Sequence, residues 1–315
     1  MDKQQLAFVF PGQGSQKVGM LAELGAEYPI VKACFEEASE ALGYDMWSMV
    51  QNGEQEQLNL TENTQPILLT ASVAVWRLWC QRGGMTPGVM AGHSLGEFSA
   101  LVCAGALSFS DAVRLVRARG QAMQTAVPVG VGAMAAVLGL EDQQILSICE
   151  SISGDEVVEA VNFNSPGQVV IAGHAGAVEK AINALKEAGA KRAMLLPVSA
   201  PFHTSLMKPA GEKLEEALET IPVSSPSIPV IHNVHAQTES DAEAIKALLV
   251  KQIYSPVKWV DCVEAMIARG VETGVECGPG KVLSGLNKRI HKPLNCLNID
   301  CPDSLAATLA AIAGE

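Results

Sequence analysis

The chain has 315 residues, 48% of them hydrophobic and 18% charged, and a formal net charge of −12. That length suits roughly two domains of about 150 residues each with a sizeable buried core. The composition excludes a disordered chain, and the acidic balance excludes nucleic acid as a general partner.

Taken in chain order, strand-like and helix-like segments alternate, the pattern of an α/β protein. The start, MDKQQLAFVFPG, has too short an apolar stretch for a signal peptide, and no later run of about 18 or more apolar residues offers a membrane span. AFVF reads as a buried strand and leads into PGQGSQKVGM, a loop with Gly12 and Gly14 ahead of a helix start. That is the layout of a phosphate cradle, but the third glycine of G-x-G-x-x-G falls on Lys17. Helical periodicity covers 29–42 and 64–82, and GVMAGHSLGEFSALVCAG then runs strand, tight turn, helix. A further helix over about 110–125 opens with Ser110–Asp111, which suit an N-cap and first turn.

Residues 127–199 follow their own logic. GAMAAVLGL is a strand, DQQILSICESI a helix, and VVEAVNFNSPGQVVIAG two strands around an Asn-Ser-Pro-Gly turn; AVEKAINALKEAGA is a helix and RAMLLPV a closing strand. This β-α-β-β-α-β order predicts a small ferredoxin-like subdomain. It would be inserted between residues 1–126 and 200–315 of a larger, hydrolase-like α/β subdomain with a parallel sheet core. The body resumes with helices near 205–220 and 241–253, a strand in IPVIHNV, and strand, turn and helix in ETGVECGPGKVLSGL. That last stretch is no P-loop, because Val282 stands where Ser or Thr is required. Eight cysteines (34, 80, 103, 149, 262, 277, 296, 301) form no C-x-x-C pair and read as reduced thiols in a cytoplasmic protein, with no metal site expected.

The chemistry centres on residues 92–96, GHSLG, which match G-x-S-x-G at a strand–turn–helix junction. The glycines permit a bend tight enough to expose Ser94 at the helix N-terminus, where the Leu95 backbone N–H and the positive helix end face a developing oxyanion. A serine hydroxyl needs a base. His93 sits within the elbow beside Ser94, whereas His174 and His203 each follow an apolar strand; His203, where the chain re-enters the larger body, is the preferred base. No Asp or Glu offers itself as an orienting carboxylate, so a Ser–His dyad steered by a neutral acceptor competes with a full triad. On the 110–125 helix, Arg114, Arg117 and Gln121 share a polar face, whereas Arg119 falls on the apolar stripe with Ala112, Leu115, Val116 and Met123. A buried arginine demands an anion, either an internal carboxylate or a carboxylate on the substrate.

In the order FPGQGSQ, GHSLGEFSALVCAG, VRARGQAMQ, VNFNSPGQVVIAG, PVSAPFH and ECGPGKVL, the chain resembles the malonyl-CoA:acyl carrier protein transacylases of type II fatty acid synthesis. The resemblance implies Ser94 as nucleophile, His203 as base, and Gln252 as the glutamine whose main-chain carbonyl orients the histidine. It implies an oxyanion hole at the backbone N–H groups of Gln13 and Leu95, and a malonyl carboxylate anchored by Arg119. Phe202 would lie beside the malonyl α-carbon, and Met123 and His93 complete the substrate-binding set. Malonyl-CoA would be the donor, coenzyme A the leaving product and acyl carrier protein the acceptor, served by a monomer that needs no bound cofactor. Phe98 departs from the tyrosine that many relatives carry there. The basic pairs Lys191–Arg192 and Lys288–Arg289 read either as solvated surface or as docking points for the acidic carrier protein. Two rivals stand beside this reading: a serine hydrolase or thioesterase with the same elbow, and a noncatalytic module that binds acyl carrier protein or a nucleotide.

Overall fold

The computed structural model describes residues 1–198 and 200–314. Its strands are β1 (Leu6–Phe10), β2 (Val89–Gly92), β3 (Gly132–Leu138), β4 (Val158–Ser165), β5 (Gln168–His174), β6 (Arg192–Leu195), β7 (Val230–Ile231), β8 (Thr273–Cys277) and β9 (Asn295–Ile299). The continuous apolar runs LAFVF and VMAG are buried at every position, as strands covered on both faces must be. They lie in a five-stranded parallel sheet of order β7-β2-β1-β8-β9. Phe10 pairs with Gly92, so β1 and β2 end level. The two loops that leave them, one carrying Gln13 and the other Ser94, therefore emerge side by side at the carboxyl edge, where open α/β sheets collect functional groups.

The second sheet, of order β4-β5-β3-β6, is antiparallel throughout, which is the ferredoxin-like arrangement. The two-residue link Pro166–Gly167 closes the β4–β5 hairpin, with Gly167 at φ +71°. One face of this sheet packs Val137, Val169 and Ile171 against helices Asp142–Ile152 and Ala175–Glu187. From the opposite face Met134, Val170 and Ala172 join the main core together with Leu95, Met123 and Phe202. The small sheet thus closes over the carboxyl edge of the large one. Its edge strand β4 is stitched to the body where Phe163 N–H donates to Val257 O (3.0 Å) and Val257 N–H donates to Val161 O (2.8 Å).

Four points differ from expectation. The arginine-bearing helix spans Phe109–Thr125, and its N-cap is Ser108, whose hydroxyl accepts from Asp111 N–H; Ser110 already lies within the first turn. The strand in IPVIHNV shrinks to Val230–Ile231, since Pro229 ahead of it has no N–H to donate to a ladder. β9 and the terminal helix Pro302–Ala313 were not foreseen, because NCLNI shows neither an apolar run nor a clean alternation. The long helix begins at Thr61, slightly ahead of its expected start. The expected subdomain boundary at 199 and the last residue, 315, lie outside the described residues.

Candidate active site

The turn from β2 into helix Leu95–Cys103 is as tight as the glycines suggested. A Cβ on Gly92 would run into the Gly96 carbonyl, and one on Gly96 into the Phe10 carbonyl. Ser94 itself sits at φ 51°, ψ −108°, a conformation that costs a non-glycine residue about 1–3 kcal/mol. Asn233, just after β7, opposes that cost. Its Oδ1 accepts from Ser94 N–H (2.8 Å) while its Nδ2 donates to Gly92 O (2.7 Å), bracing both sides of the elbow.

Ser94 Oγ lies 2.8 Å from His203 Nε2. On the other side of the ring, Nδ1 lies 2.9 Å from the backbone carbonyl of Gln252. A carbonyl only accepts, so Nδ1 carries the proton and Nε2 offers its lone pair to the serine hydroxyl. The partner of Nδ1 is a neutral carbonyl, one of the two alternatives that the sequence left open. His203 is 4% exposed and also holds a positive φ, 66°. Burial, reinforced by the charge of Arg119, holds its imidazole down at about 3.

Arg119 is 1% exposed. Its Nη1 donates to Gln65 Oε1 (2.7 Å), and its Nη2 to Gln252 Oε1 (2.8 Å) and Ser94 Oγ (3.2 Å). The guanidinium lies 5.1 Å from the ring centre of Phe98, an attractive cation–π arrangement. Burial lowers the arginine to about 10, with the Glu97 charge opposing the shift, so it stays protonated at neutral pH. The sequence demanded an anion beside Arg119; among the described residues its hydrogen-bond partners are instead two amide oxygens and a hydroxyl.

Gln65, Ser94, Arg119 and His203 line a cavity of about 140 Å³ whose apolar wall includes Met123, Met134, Leu196, Val198 and Phe202. Gln13 and Leu95 line it too, and Leu95 is the first residue of its helix, where a backbone N–H has no intrahelical acceptor. The Gln13 loop comes this close because residue 12 is glycine: a Cβ there would meet the His93 carbonyl. His93 borders the cavity but turns its Nε2 to Asn164 Oδ1 (2.7 Å), and burial lowers its pKa. His174 does not join the site; its Nδ1 accepts from Val157 N–H at the end of the small sheet.

The sequence reading overlooked Gln65, Glu97, Asn162 and Asn233. Glu97 carried a usable signal, a charge on an otherwise apolar helix just after the elbow; Asn233 and Gln65 carried none that spacing could reveal.

Lys191 and Arg192 lie at the outer end of the small sheet and Lys288 and Arg289 in the last turn of helix Val282–Ile290 of the larger body, and all four side chains are exposed. Arg192 pairs with Leu138 and Leu138 with Gln168, so the three side chains share one face. Arg289 Nη1 donates to Gln168 Oε1 (2.7 Å), which brings both clusters to the same row, while Lys288 Nζ donates to Leu294 O (3.1 Å). Met134 of the cavity wall lies on the same face as Leu138, four residues back along β3 and roughly 13 Å away.

Comparison with known proteins gives the family. Residues 7–296 match the Acyl transferase domain family. The chain is 58% identical over 305 residues to the malonyl CoA-acyl carrier protein transacylase of Salmonella typhimurium, covering 97% of this chain and 99% of that one. An acyl carrier protein S-malonyltransferase crystal structure from Vibrio cholerae superposes with a TM-score of 0.95 at 56% identity, over 96% of this chain and 99% of the other. A malonyl-transacylase solved in complex with its type II PKS acyl-carrier protein gives a TM-score of 0.96 at 52% identity, over 98% and 99% of the two chains. By motif order, fold and identity, the chain belongs to the acyl transferase family, among the malonyl CoA-acyl carrier protein transacylases.

Proposed function

We propose that this enzyme moves the malonyl group of malonyl-CoA to the phosphopantetheine thiol of acyl carrier protein through a malonyl-Ser94 intermediate, supplying extender units for fatty acid synthesis. The observation that carries the reading is the continuous contact from Gln252 O through His203 to Ser94 Oγ, with the Arg119 guanidinium 3.2 Å from that oxygen.

In the first half-reaction His203 Nε2 takes the hydroxyl proton as Ser94 Oγ attacks the thioester carbonyl. The backbone N–H groups of Gln13 and Leu95 hold the oxyanion. The tetrahedral adduct collapses, the C–S bond breaks, and His203 returns its proton to the departing coenzyme A sulfur. The second half runs the same steps with the carrier thiol as nucleophile, so the kinetics are ping-pong. Arg119 meets the malonyl carboxylate with a planar fork, exchanging weaker hydrogen bonds to amide oxygens for charge-assisted ones. The cavity of about 140 Å³ beside Ser94 has room for a short acyl group.

A hydrolase acting on uncharged esters would have no use for a guanidinium beside its nucleophile, so that alternative is not favoured. Residues 127–199 act as the small subdomain between 1–126 and 200–315, and the enzyme works as a monomer. A cytoplasmic setting is supported by eight free cysteines, which suit a reducing compartment. Among the described residues no helix is long and apolar enough to cross a membrane.

Intact-protein mass after brief mixing with malonyl-CoA tests the reading. The wild type should gain one malonyl group and Ser94→Ala none; a mass gain that persists in Ser94→Ala would remove Ser94 from its role.

A further inference from the structure

Glu97, the third residue of the elbow helix, is 0% exposed, and the reaction just described gives it no part. Three donors converge on its carboxylate. His232 Nδ1 lies 2.7 Å from Oε1, while Asn233 N–H (2.8 Å) and Gln252 Nε2 (3.0 Å) donate to Oε2. The Gln252 amide can be oriented in one way only. Its oxygen faces Arg119, which has no acceptor, and its nitrogen faces Glu97 and the Ser94 carbonyl (3.0 Å), neither of which donates to it. One amide therefore stands between a buried anion and a buried cation that do not touch.

We propose that Glu97 is a positioning residue for acyl-group selection: by fixing the Gln252 amide with its oxygen toward Arg119, it orients and balances the guanidinium from one residue away. The inference rests on the reading of Arg119 as the carboxylate anchor. The spacing has a physical purpose. A carboxylate in direct contact would hold the arginine fork in a charge-assisted pair and compete with the substrate for it, whereas an amide oxygen yields to a substrate carboxylate. Reversing the amide would turn N–H groups toward Arg119 and an oxygen toward Glu97, opposing like with like at both ends. Glu97 makes that reversal unfavourable.

The test is single-turnover acylation of Ser94 by malonyl-CoA and by acetyl-CoA, compared as a ratio of second-order rate constants. The proteins are the wild type, Glu97→Gln, Gln252→Met, the Glu97→Gln/Gln252→Met double variant and Arg119→Ala. Glu97→Gln keeps the shape but has one acceptor oxygen for three donors, and it should lower the malonyl-to-acetyl ratio about 10-fold, chiefly through weaker saturation by malonyl-CoA. Because Glu97 acts through the Gln252 side chain, adding Glu97→Gln to Gln252→Met should lower the ratio no further. A merely structural role would slow both substrates alike. An unchanged or raised ratio in Glu97→Gln, or losses that multiply in the double variant, would overturn the proposal. If Arg119→Ala lowers the ratio while Glu97→Gln does not, the role of Glu97 alone fails; if Arg119→Ala leaves it unchanged, the anchor reading fails and takes this inference with it. Should Glu97→Gln not fold, Gln252→Glu reads the same relation from the other side. A carboxylate placed directly against Arg119 should depress the ratio further than Gln252→Met does, and equal ratios for those two variants would overturn the proposal.

Discussion

Arg119 Nη2 donates to Ser94 Oγ across 3.2 Å, so the buried cation of the site touches the proposed nucleophile. A carboxylate drawn to that guanidinium would bring its own acyl carbon toward the serine. Removing one partner of a buried ion pair costs roughly 3–5 kcal/mol, so Arg119→Ala should lose about two to three and a half decades of malonyl-CoA kcat/KM. Acetyl-CoA has no carboxylate to present, and its rate should hold steady or rise. Arg119→Lys keeps the charge but not the fork and should fall between. Steady-state kinetics with both donors on the three proteins decide it; equal losses would make Arg119 a structural residue.

The same cation acts on His203, the proposed base. With burial it holds His203 at about 3, so the imidazole is neutral across the physiological range. The acid limb of kcat/KM for acetyl-CoA should therefore lie well below about 6.5, the ordinary histidine value. Arg119→Ala removes a depressing charge and should move that limb upward. A limb that stays in place would mean that burial alone sets the value.

Stability should follow the same histidine. Its folded value is depressed, so its contribution is complete above about pH 6.5 and is lost as pH falls toward about 3, by at most about 1.4 kcal/mol per unit. Denaturant midpoints measured across that window should fall less steeply for His203→Gln than for the wild type. Part of the slope should survive, because burial also depresses His93. Identical slopes would assign the acid sensitivity to other groups.

Phe202 directly precedes the base and lines the cavity with Met123 and Met134. Its ring should crowd an α-methyl group on the acyl chain. Phe202→Ser should raise methylmalonyl-CoA use relative to malonyl-CoA, within the roughly 1–3 kcal/mol that one methylene decides. Competition between the two donors, read by intact-protein mass, gives the ratio, and no change would turn Phe202 away from the α-carbon.

At the outer end of the small sheet, Arg192 and Arg289 flank Leu138 and Gln168 on one face. Charge reversal in the pairs Lys191–Arg192 and Lys288–Arg289 should raise KM for acyl carrier protein, more at low salt, and leave Ser94 malonylation by malonyl-CoA intact. Loss of both half-reactions together would indicate misfolding instead.

Much of this protein was legible in its sequence, for local reasons. The burial of Arg119 and the β-α-β-β-α-β order depend on periodicities within about 20 residues, which a linear pattern records, and the elbow shows in its G-x-S-x-G spacing even though Gly96 also answers to the distant Phe10 carbonyl. Tertiary structure decided which histidine meets Ser94: His174 and His203 both follow apolar strands, and the sequence preferred His203 only by its place where the chain re-enters the larger body. It also decided what faces Arg119. The apolar stripe fixed that the guanidinium is buried, but its partners Gln65 and Gln252 come from helices far away in the chain, and neutral amides leave no charge signature to search for. Asn233, which braces the elbow, and Glu97, one amide from the cation, acquire their roles only where the ends of parallel strands gather residues separated by more than 100 positions. Spacing along the chain determined which residues could do chemistry here; the packing of the two sheets determined which of them touch.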